Sequence, residues 1–349
     1  MKKILYAAIT LAFMACGSGK DATKTADENV DQAAKYASTI TAKDLGTHLF
    51  IYASDEFEGR NTGEPGQKKA VEYLKNFYVT EGIASGLGGD DYFQEVPAAW
   101  LNKNSRRGGL KSSENVLAFI KGSEKPDEVV VISAHLDHEG IKNGQIYNGA
   151  DDDGSGTVAI LEIAQAFKAA ADAGKGPKRS ILFLHVTGEE KGLLGSKYYT
   201  ENPVYSLANT VCDLNIDMVG RIDERHKSDP NYVYLIGSDK LSTELHTLSE
   251  AVNKKYTNIN LDYKYNDEND PNRFYYRSDH YNFAKHNVPI IFYFNGTHAD
   301  YHKPSDTPDK INYELLENRA RLVFHTAWEV ANMETRIVAD KAVTKEESK

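Results

Sequence analysis

The stretch Ser133-Ala134-His135-Leu136-Asp137, followed closely by Gly149-Ala150-Asp151-Asp152-Asp153-Gly154-Ser155-Gly156, decides how this chain folds. The first segment closes an apolar, β-branched run over residues 128–134, which predicts a buried strand. Residues 154–173 carry an apolar stripe at helical spacing and end at a glycine, which predicts a long helix. A strand, a polar loop and a helix in this order are typical of an α/β sheet protein.

The loop between that strand and that helix has an unusual charge. A histidine lies at the strand end, an aspartate follows two positions later, and three consecutive aspartates come next. Adjacent carboxylates repel one another, so a fold that gathers them at a pocket needs a cation to offset the charge. Because a histidine accompanies the carboxylates, zinc or a similar metal is favoured over calcium or magnesium.

The rest of the chain alternates between the two kinds of element. Further strands are predicted at residues 115–120, 180–187, 210–218, 232–236, 261–265 and 289–294. Further helices are predicted at residues 67–81, 193–200, 241–254, 279–286 and 309–335, the last with Thr307 as its N-cap. Residues 90–113, which include Arg106 and Arg107, are expected to form an irregular, solvated loop. We therefore predict an α/β fold with a mostly parallel central β-sheet sandwiched between α-helices in one domain.

The overall composition limits the classes of partner. The 349 residues are 40% hydrophobic and 26% charged, as in ordinary globular proteins. The formal net charge is −10 and the pI is about 5.6, which argues against nucleic acid and against anionic membrane surfaces as partners.

The N-terminus predicts export. Two lysines and a short apolar run precede Cys16, an arrangement that resembles a bacterial lipoprotein signal. We predict a signal segment (1–16), a polar tether (17–39), one folded domain (40–338) and a charged tail (339–349). The protein would be a membrane-anchored lipoprotein facing the periplasm or cell surface, touching the membrane only through a lipid on Cys16; an ordinary cleaved signal peptide is the alternative. The other cysteine, Cys212, lies in an apolar run and is expected to be a buried thiol.

Polar residues follow four of the predicted strands. These residues are His135 and Asp137, the pair Glu189 and Glu190, Asp217, and His302. Ligands of open α/β sheets bind at the carboxyl ends of the strands, so these side chains are expected to converge. Taken singly, each has an ordinary alternative, such as a surface charge pair, a hydrogen-bonded core aspartate or a loop histidine. His298 is expected to be such a loop residue.

Five motifs in this order carry a family resemblance over residues 45–335. They are Ala134-His135-Leu136-Asp137, Asn148-Gly149-Ala150-Asp151-Asp152-Asp153-Gly154-Ser155-Gly156, Thr187-Gly188-Glu189-Glu190, Asn215-Ile216-Asp217-Met218 and Tyr301-His302-Lys303-Pro304-Ser305-Asp306-Thr307. With them the sequence resembles the bimetallic zinc aminopeptidases of metallopeptidase family twenty-eight.

The resemblance implies a function and a set of roles. Such an enzyme hydrolyses the N-terminal peptide bond of a peptide substrate with two Zn²⁺ ions per chain and a bridging water. By that resemblance His135 and Asp217 bind one ion, Glu190 and His302 bind the other, and Asp152 bridges them. Asp137 would orient His135 by accepting its free ring N–H, and Glu189 would be the general base. The family also implies a cis peptide after Asp152.

Three alternatives remain open on the same scaffold. A carboxypeptidase would need cations for the substrate's free carboxylate, for which Arg273 and Arg277 are candidates. A glutaminyl cyclase would resemble a single-zinc version, and a non-catalytic binding lipoprotein would have lost ligands. We expect neither of these two, since every ligand residue of the motifs is present. An excess of negative charge in the pocket would favour the substrate's ammonium group. The sequence does not indicate an oligomeric state.

Overall fold

The structure, a computed structural model, describes residues 31–342. The predicted signal segment with Cys16, most of the predicted tether and residues 343–349 lie outside this range. Between residues 31 and 342, no helix combines the length and the apolar character needed to cross a membrane.

The elements alternate along the chain as the sequence predicts. The strands described are β1 (Ala84–Ser85), β2 (Phe93–Val96), β3 (Ser113–Ile120), β4 (Lys125–His135), β5 (Gly140–Lys142), β6 (Gln145–Tyr147), β7 (Arg179–Val186), β8 (Thr210–Ile216), β9 (Tyr232–Ile236), β10 (Asn260–Asp262) and β11 (Ile290–Phe294). The helices described are α1 (Gln32–Ala37), α2 (Ala42–Tyr52), α3 (Pro65–Thr80), α4 (Ala98–Asn104), α5 (Gly156–Asp172), α6 (Leu194–Glu201), α7 (Thr243–Tyr256), α8 (His280–Ala284) and α9 (Tyr313–Asn332).

One sheet organises the protein, in the strand order β1-β3-β7-β4-β8-β11-β9-β10, with β2 also paired to β3. Its centre, β7-β4-β8-β11, is parallel, whereas β3 joins β7 and β9 joins β11 in antiparallel fashion. In the parallel register His135 pairs with Val186 and Ser133 with Asn215. The carboxyl ends of the central strands therefore lie side by side, which gives the polar loops that follow them a common edge.

Both faces of the sheet are covered. Val130 and Ile132 of β4 pack into a core that α2, α3, α5 and α9 complete, while Val129 and Val131 point to the opposite face. There they meet Tyr199 of α6 and Phe283 of α8. Burial on both faces explains why β4 and β7 read as nearly continuous apolar runs. The predicted fold class, helices around a mostly parallel central sheet, is confirmed.

Two local predictions are wrong. Residues 90–113 are not wholly irregular, because β2 pairs with β3 and α4 buries Leu101 against Val96 and Leu194. Both elements are too short to show a periodic pattern. The last helix begins at Tyr313 and is capped by Asn312, whose side chain accepts from the Leu315 N–H, whereas Thr307 makes no capping bond.

The ends of the folded region also differ from the prediction. Helix α1 buries Tyr36, which stacks on Trp328 with 6.0 Å between ring centroids, and the Arg321 guanidinium donates to the Ile40 carbonyl. The predicted tether is therefore too long, and the folded chain includes residues from Gln32 onward. Asp340, placed in the predicted tail, accepts hydrogen bonds from Thr243 at the start of α7.

Candidate metal centre

The four polar strand ends converge, as the sequence predicts. His135 is the last residue of β4, and Glu190 follows β7 in a short turn. Asp217 comes directly after β8, and His302 lies in the loop that follows β11. Asp152 reaches the same place from the loop before α5.

These side chains form two groups that share one residue. In the first group the His135 Nε2 atom lies 3.2 Å from Asp152 Oδ1 and 3.7 Å from Asp217 Oδ1. In the second group the His302 Nε2 atom lies 3.0 Å from Asp152 Oδ2 and 3.4 Å from Glu190 Oε2. The two oxygens of Asp152 thus face different groups. All five predicted metal ligands are brought together.

The donors present fit zinc. Zinc holds nitrogen and oxygen ligands at about 2.0–2.2 Å in a tetrahedron, so two ligand atoms on one ion lie about 3.3 Å apart, close to the spacings seen here. His135 Nε2, Asp152 Oδ2 and Glu190 Oε1 are buried and, within residues 31–342, form no hydrogen bond of good geometry. Burial and the neighbouring carboxylates raise the pKa of Glu189 and of Glu190, so their charged forms need a cation nearby.

The three consecutive aspartates have three different roles. Asp153 accepts hydrogen bonds from the backbone N–H groups of His135 and Met218, at 3.3 and 3.0 Å. Asp151 accepts from the Gly220 N–H at 2.7 Å. Only Asp152 of the three lines the cleft described below. The repulsion expected for the trio is therefore relieved by backbone amides and, at Asp151, by the His298 ring, whose Nε2 atom lies 3.1 Å from Asp151 Oδ2. One carboxylate, that of Asp152, remains for a metal.

Buried groups behind the aspartates hold their loop in place. The Asp306 carboxylate accepts from the N–H groups of Asp151 and Asp152, at 3.0 and 3.2 Å. The fully buried Arg60 guanidinium donates to the carbonyls of Tyr52, Leu136, Asn148 and Gly149 and so ties the loop after β4 to the loop before α5.

Gly149 is required at its position. Its φ is +55°, and an added Cβ would lie 2.2 Å from the Asp152 carbonyl oxygen and 2.5 Å from the His138 ring. Any side chain there would therefore displace both the aspartate loop and that ring.

The structure corrects the role predicted for Asp137. The His135 Nδ1 atom lies 3.0 Å from the backbone carbonyl oxygen of Asp137, whereas the carboxylate oxygen is 3.9 Å away. That carboxylate instead accepts from the Thr62 hydroxyl at 2.6 Å and from the Glu189 N–H at 3.0 Å. Asp137 therefore orients His135 through its main chain and fixes the turn of Glu189 through its side chain.

A cleft of about 750 Å³ opens over the cluster. Its charged lining consists of the carboxylates Glu139, Asp152, Glu189, Glu190 and Asp217 and the cations Arg106, Arg107, Lys142, Lys191 and Arg277. The predicted excess of negative charge is therefore wrong, because equal numbers of acids and bases line the cleft. Arg106 and Arg107, expected to be merely solvated, reach its wall, whereas Arg273 lies in a different depression.

The comparison with known families decides the identity. The family model for peptidase family M28 matches residues 115–327, which include every predicted metal ligand. The chain belongs to peptidase family M28.

Relatives and solved structures agree with this membership. The M28 chain is 28% identical over 265 residues to leupeptin-inactivating enzyme 1 of Streptomyces exfoliatus, covering 76% of this chain and 50% of that one. It is 37% identical over 109 residues to the probable glutamate carboxypeptidase AMP1 of Arabidopsis thaliana, covering 31% of this chain and 14% of that one. This chain thus spans half, or much less, of the length of these two relatives. Its fold is similar to that of the LapA aminopeptidase of Legionella pneumophila, with a TM-score of 0.66, 20% identity and coverage of 90% and 78%.

Two details of the M28 site lie beyond the five ligands. The Asp152–Asp153 peptide is cis, as the family resemblance implies. The sequence analysis missed His138, a fully buried ring whose Nδ1 atom lies 2.8 Å from Glu190 Oε1 and 3.8 Å from Asp152 Oδ2. Burial lowers the pKa of His138 to about 3, so the ring is neutral and one of its two nitrogens is available to a metal. Its position directly after Asp137, in the same strand-end loop, was the available signal.

Proposed function

We propose that this chain is a zinc-dependent exopeptidase that hydrolyses the N-terminal peptide bond of peptides at a dinuclear centre. The proposal rests mainly on one observation, the placement of Asp152 with one carboxylate oxygen toward His135 and the other toward His302. A carboxylate shared between two sets of ligands is the arrangement that a bridging ligand requires. The buried ligand atoms, which form no hydrogen bond of good geometry within residues 31–342, and the family membership support the same interpretation.

The ligand residues divide between two positions. His135 and Asp217 would hold one ion, Glu190 and His302 the other, and Asp152 both, with His138 beside Glu190. When bound, zinc at these positions would supply a water of lowered pKa and would polarise the scissile carbonyl.

Glu189 is the proposed general base. It lines the cleft beside Glu190, and its backbone is fixed by the bond from its N–H to Asp137. Glu189 would take a proton from the attacking water and return it to the leaving amine. Its raised pKa, caused mainly by burial, suits a carboxylate that must hold that proton between the two steps.

The likeness of the fold to that of the LapA aminopeptidase supports aminopeptidase activity. The cations on the cleft wall favour a carboxylate, so carboxypeptidase activity is the second candidate. A single-zinc cyclase is disfavoured because both groups of ligands are present. We also propose that the protein is exported and carries a lipid on Cys16.

Hydrolysis of end-blocked peptides tests the proposal. Purified protein should remove residues one by one from the N-terminus of an unblocked pentapeptide, and N-acetylation should abolish the reaction. Dipicolinate should remove the activity, and added Zn²⁺ should restore it. Loss of the C-terminal residue from the acetylated peptide would establish the carboxypeptidase instead. Cleavage that survives exhaustive chelation would refute the metal-dependent function altogether.

A further inference from the structure

The wall of the cleft carries more positive charge than the composition leads one to expect. The chain has a net charge of −10, yet five cations line this one cleft. Four of them, Arg106, Arg107, Lys142 and Lys191, are here called the cationic rim. Arg106 and Arg107 lie on the loop that follows α4, Lys142 ends β5, and Lys191 directly follows Glu190.

Most of the cationic rim is unpaired. Lys142 forms an ion pair with Glu139. Within the described part of the chain, the side chains of Arg106, Arg107 and Lys191 have neither a hydrogen bond nor an ion pair. A lone unpaired surface cation is ordinary, but three on the wall of one cleft together create a positive potential that attracts anions.

The members of the cationic rim lie close enough to affect each other. Burial lowers the pKa of Lys142, and the charges of Lys191 and Arg107 lower it further, while Glu190 opposes them. Lys142 therefore lies near Glu190 of the proposed metal centre and near two other cations of the rim. An anion bound among these side chains would relieve their repulsion and would lie near the reacting end of a substrate.

The balance of acids and bases in the cleft also favours an anionic ligand. Five acids and five bases line the cleft, so two divalent cations at its base would leave it with an excess of positive charge. A group of this kind attracts carboxylates, and arginine binds them through two parallel N–H bonds. A volume of about 750 Å³ is that of a small-ligand pocket, which suits a short peptide.

We propose that the cationic rim binds a carboxylate of the substrate on the far side of the scissile bond, so that the enzyme prefers short peptides bearing that charge. The carboxylate could come from the substrate's own C-terminus or from an acidic side chain at the second residue. Both sources present the same chemistry to Arg107 and Lys191. This inference rests on the proposed exopeptidase activity, because it names the substrate class of the same site.

Four matched substrates separate the two sources. Leucyl-alanine has a C-terminal carboxylate and leucyl-alaninamide has none. The amide of leucyl-aspartate has a side-chain carboxylate, and the amide of leucyl-asparagine is its neutral match. We expect kcat/KM to be about tenfold higher for at least one charged member than for its neutral match, as expected for one charge-assisted hydrogen bond. The preference should weaken in 0.5 M salt, because the rim is open to solvent.

Two rim variants and one control complete the test. Arg107→Gln and Lys191→Gln should each reduce the preference for the charged member severalfold, mainly by raising its KM. Lys103→Gln removes an exposed cation of the same region that does not line the cleft, and should leave the preference as in the wild type.

Each outcome decides one of the two proposals. Cleavage of all four substrates at equal kcat/KM would overturn the inference while the proposed aminopeptidase function stands. A preference that both rim variants leave intact would also overturn the inference. Failure to cleave any of the four substrates, with zinc bound, would refute the proposed function itself.

Discussion

Replacing His138 with leucine tests whether this histidine serves the metal centre or only fills space. Its ring is fully buried and packs against Gly149, and both ring nitrogens lack a hydrogen bond of good geometry within residues 31–342. Its closest polar neighbour is Glu190 Oε1, 2.8 Å from Nδ1. A buried ring without a well-formed hydrogen bond destabilises the metal-free protein. It stabilises the protein only when it binds the ion or orients Glu190 towards it.

The effect of His138→Leu on the free energy of unfolding should differ between the metal-free and the zinc-bound protein. An unsatisfied buried polar group costs about 1–3 kcal/mol, and His138→Leu removes that cost but also the packing of the ring. Because these two effects oppose each other, the metal-free free energy of unfolding should stay within about 1 kcal/mol of the wild type. Removing a group that orients a metal ligand typically lowers metal affinity by about 10–100-fold, or about 1.4–2.8 kcal/mol. The loss of stability should therefore appear only with zinc bound.

The assay combines urea unfolding, with and without zinc, and competition for zinc with a chelator of known affinity. His185→Leu is the matched control, because this equally buried histidine contacts the Tyr78 hydroxyl at 2.7 Å and lines no part of the metal cluster. That control should lose the same stability in both states. An equal loss for His138→Leu in both states, or unchanged zinc affinity, would refute the role assigned to His138.

Three further outcomes are expected. Glu189→Gln should lower kcat by about 10²–10⁴-fold while both zinc equivalents stay bound, since general base catalysis contributes about that much; metal analysis showing an equal loss of zinc would remove Glu189 from this role. Arg60→Lys should lower the free energy of unfolding by about 3 kcal/mol, because one ammonium group cannot replace a guanidinium that bonds four carbonyls, and a change below about 0.5 kcal/mol in urea unfolding would contradict this. Cys16→Ser should stop labelling by radioactive fatty acid in cells, and unchanged labelling would overturn the lipid anchor.

The sequence predicts the centre of this fold well because physical signals are strong there. Strands buried on both faces, such as β4 and β7, leave nearly continuous apolar runs, and α5 leaves a clear helical stripe. The ends of these strands place His135 and Glu190 together without any knowledge of side-chain geometry. The family motif identifies Asp152 as a ligand. Its place between His135 and His302 depends on how the strands pair, which the sequence only implies.

What the sequence does not reveal depends on contacts between distant segments. Arg60 lies in a loop without a pattern, and only the fold brings four carbonyls to it. The Asp137 carboxylate accepts from Thr62 and Glu189 instead of His135, and residue spacing does not distinguish a main-chain acceptor from a side-chain one. Likewise, Arg107 is a solvated loop residue by composition, and only the position of α4 places it on the cleft wall.

The metal content of the purified protein tests the central claim most directly. Inductively coupled plasma mass spectrometry on protein purified without chelators should find two equivalents of zinc per chain, and their removal should lower the free energy of unfolding. Protein that holds no transition metal, and whose unfolding is the same with and without a strong chelator, would contradict the dinuclear centre.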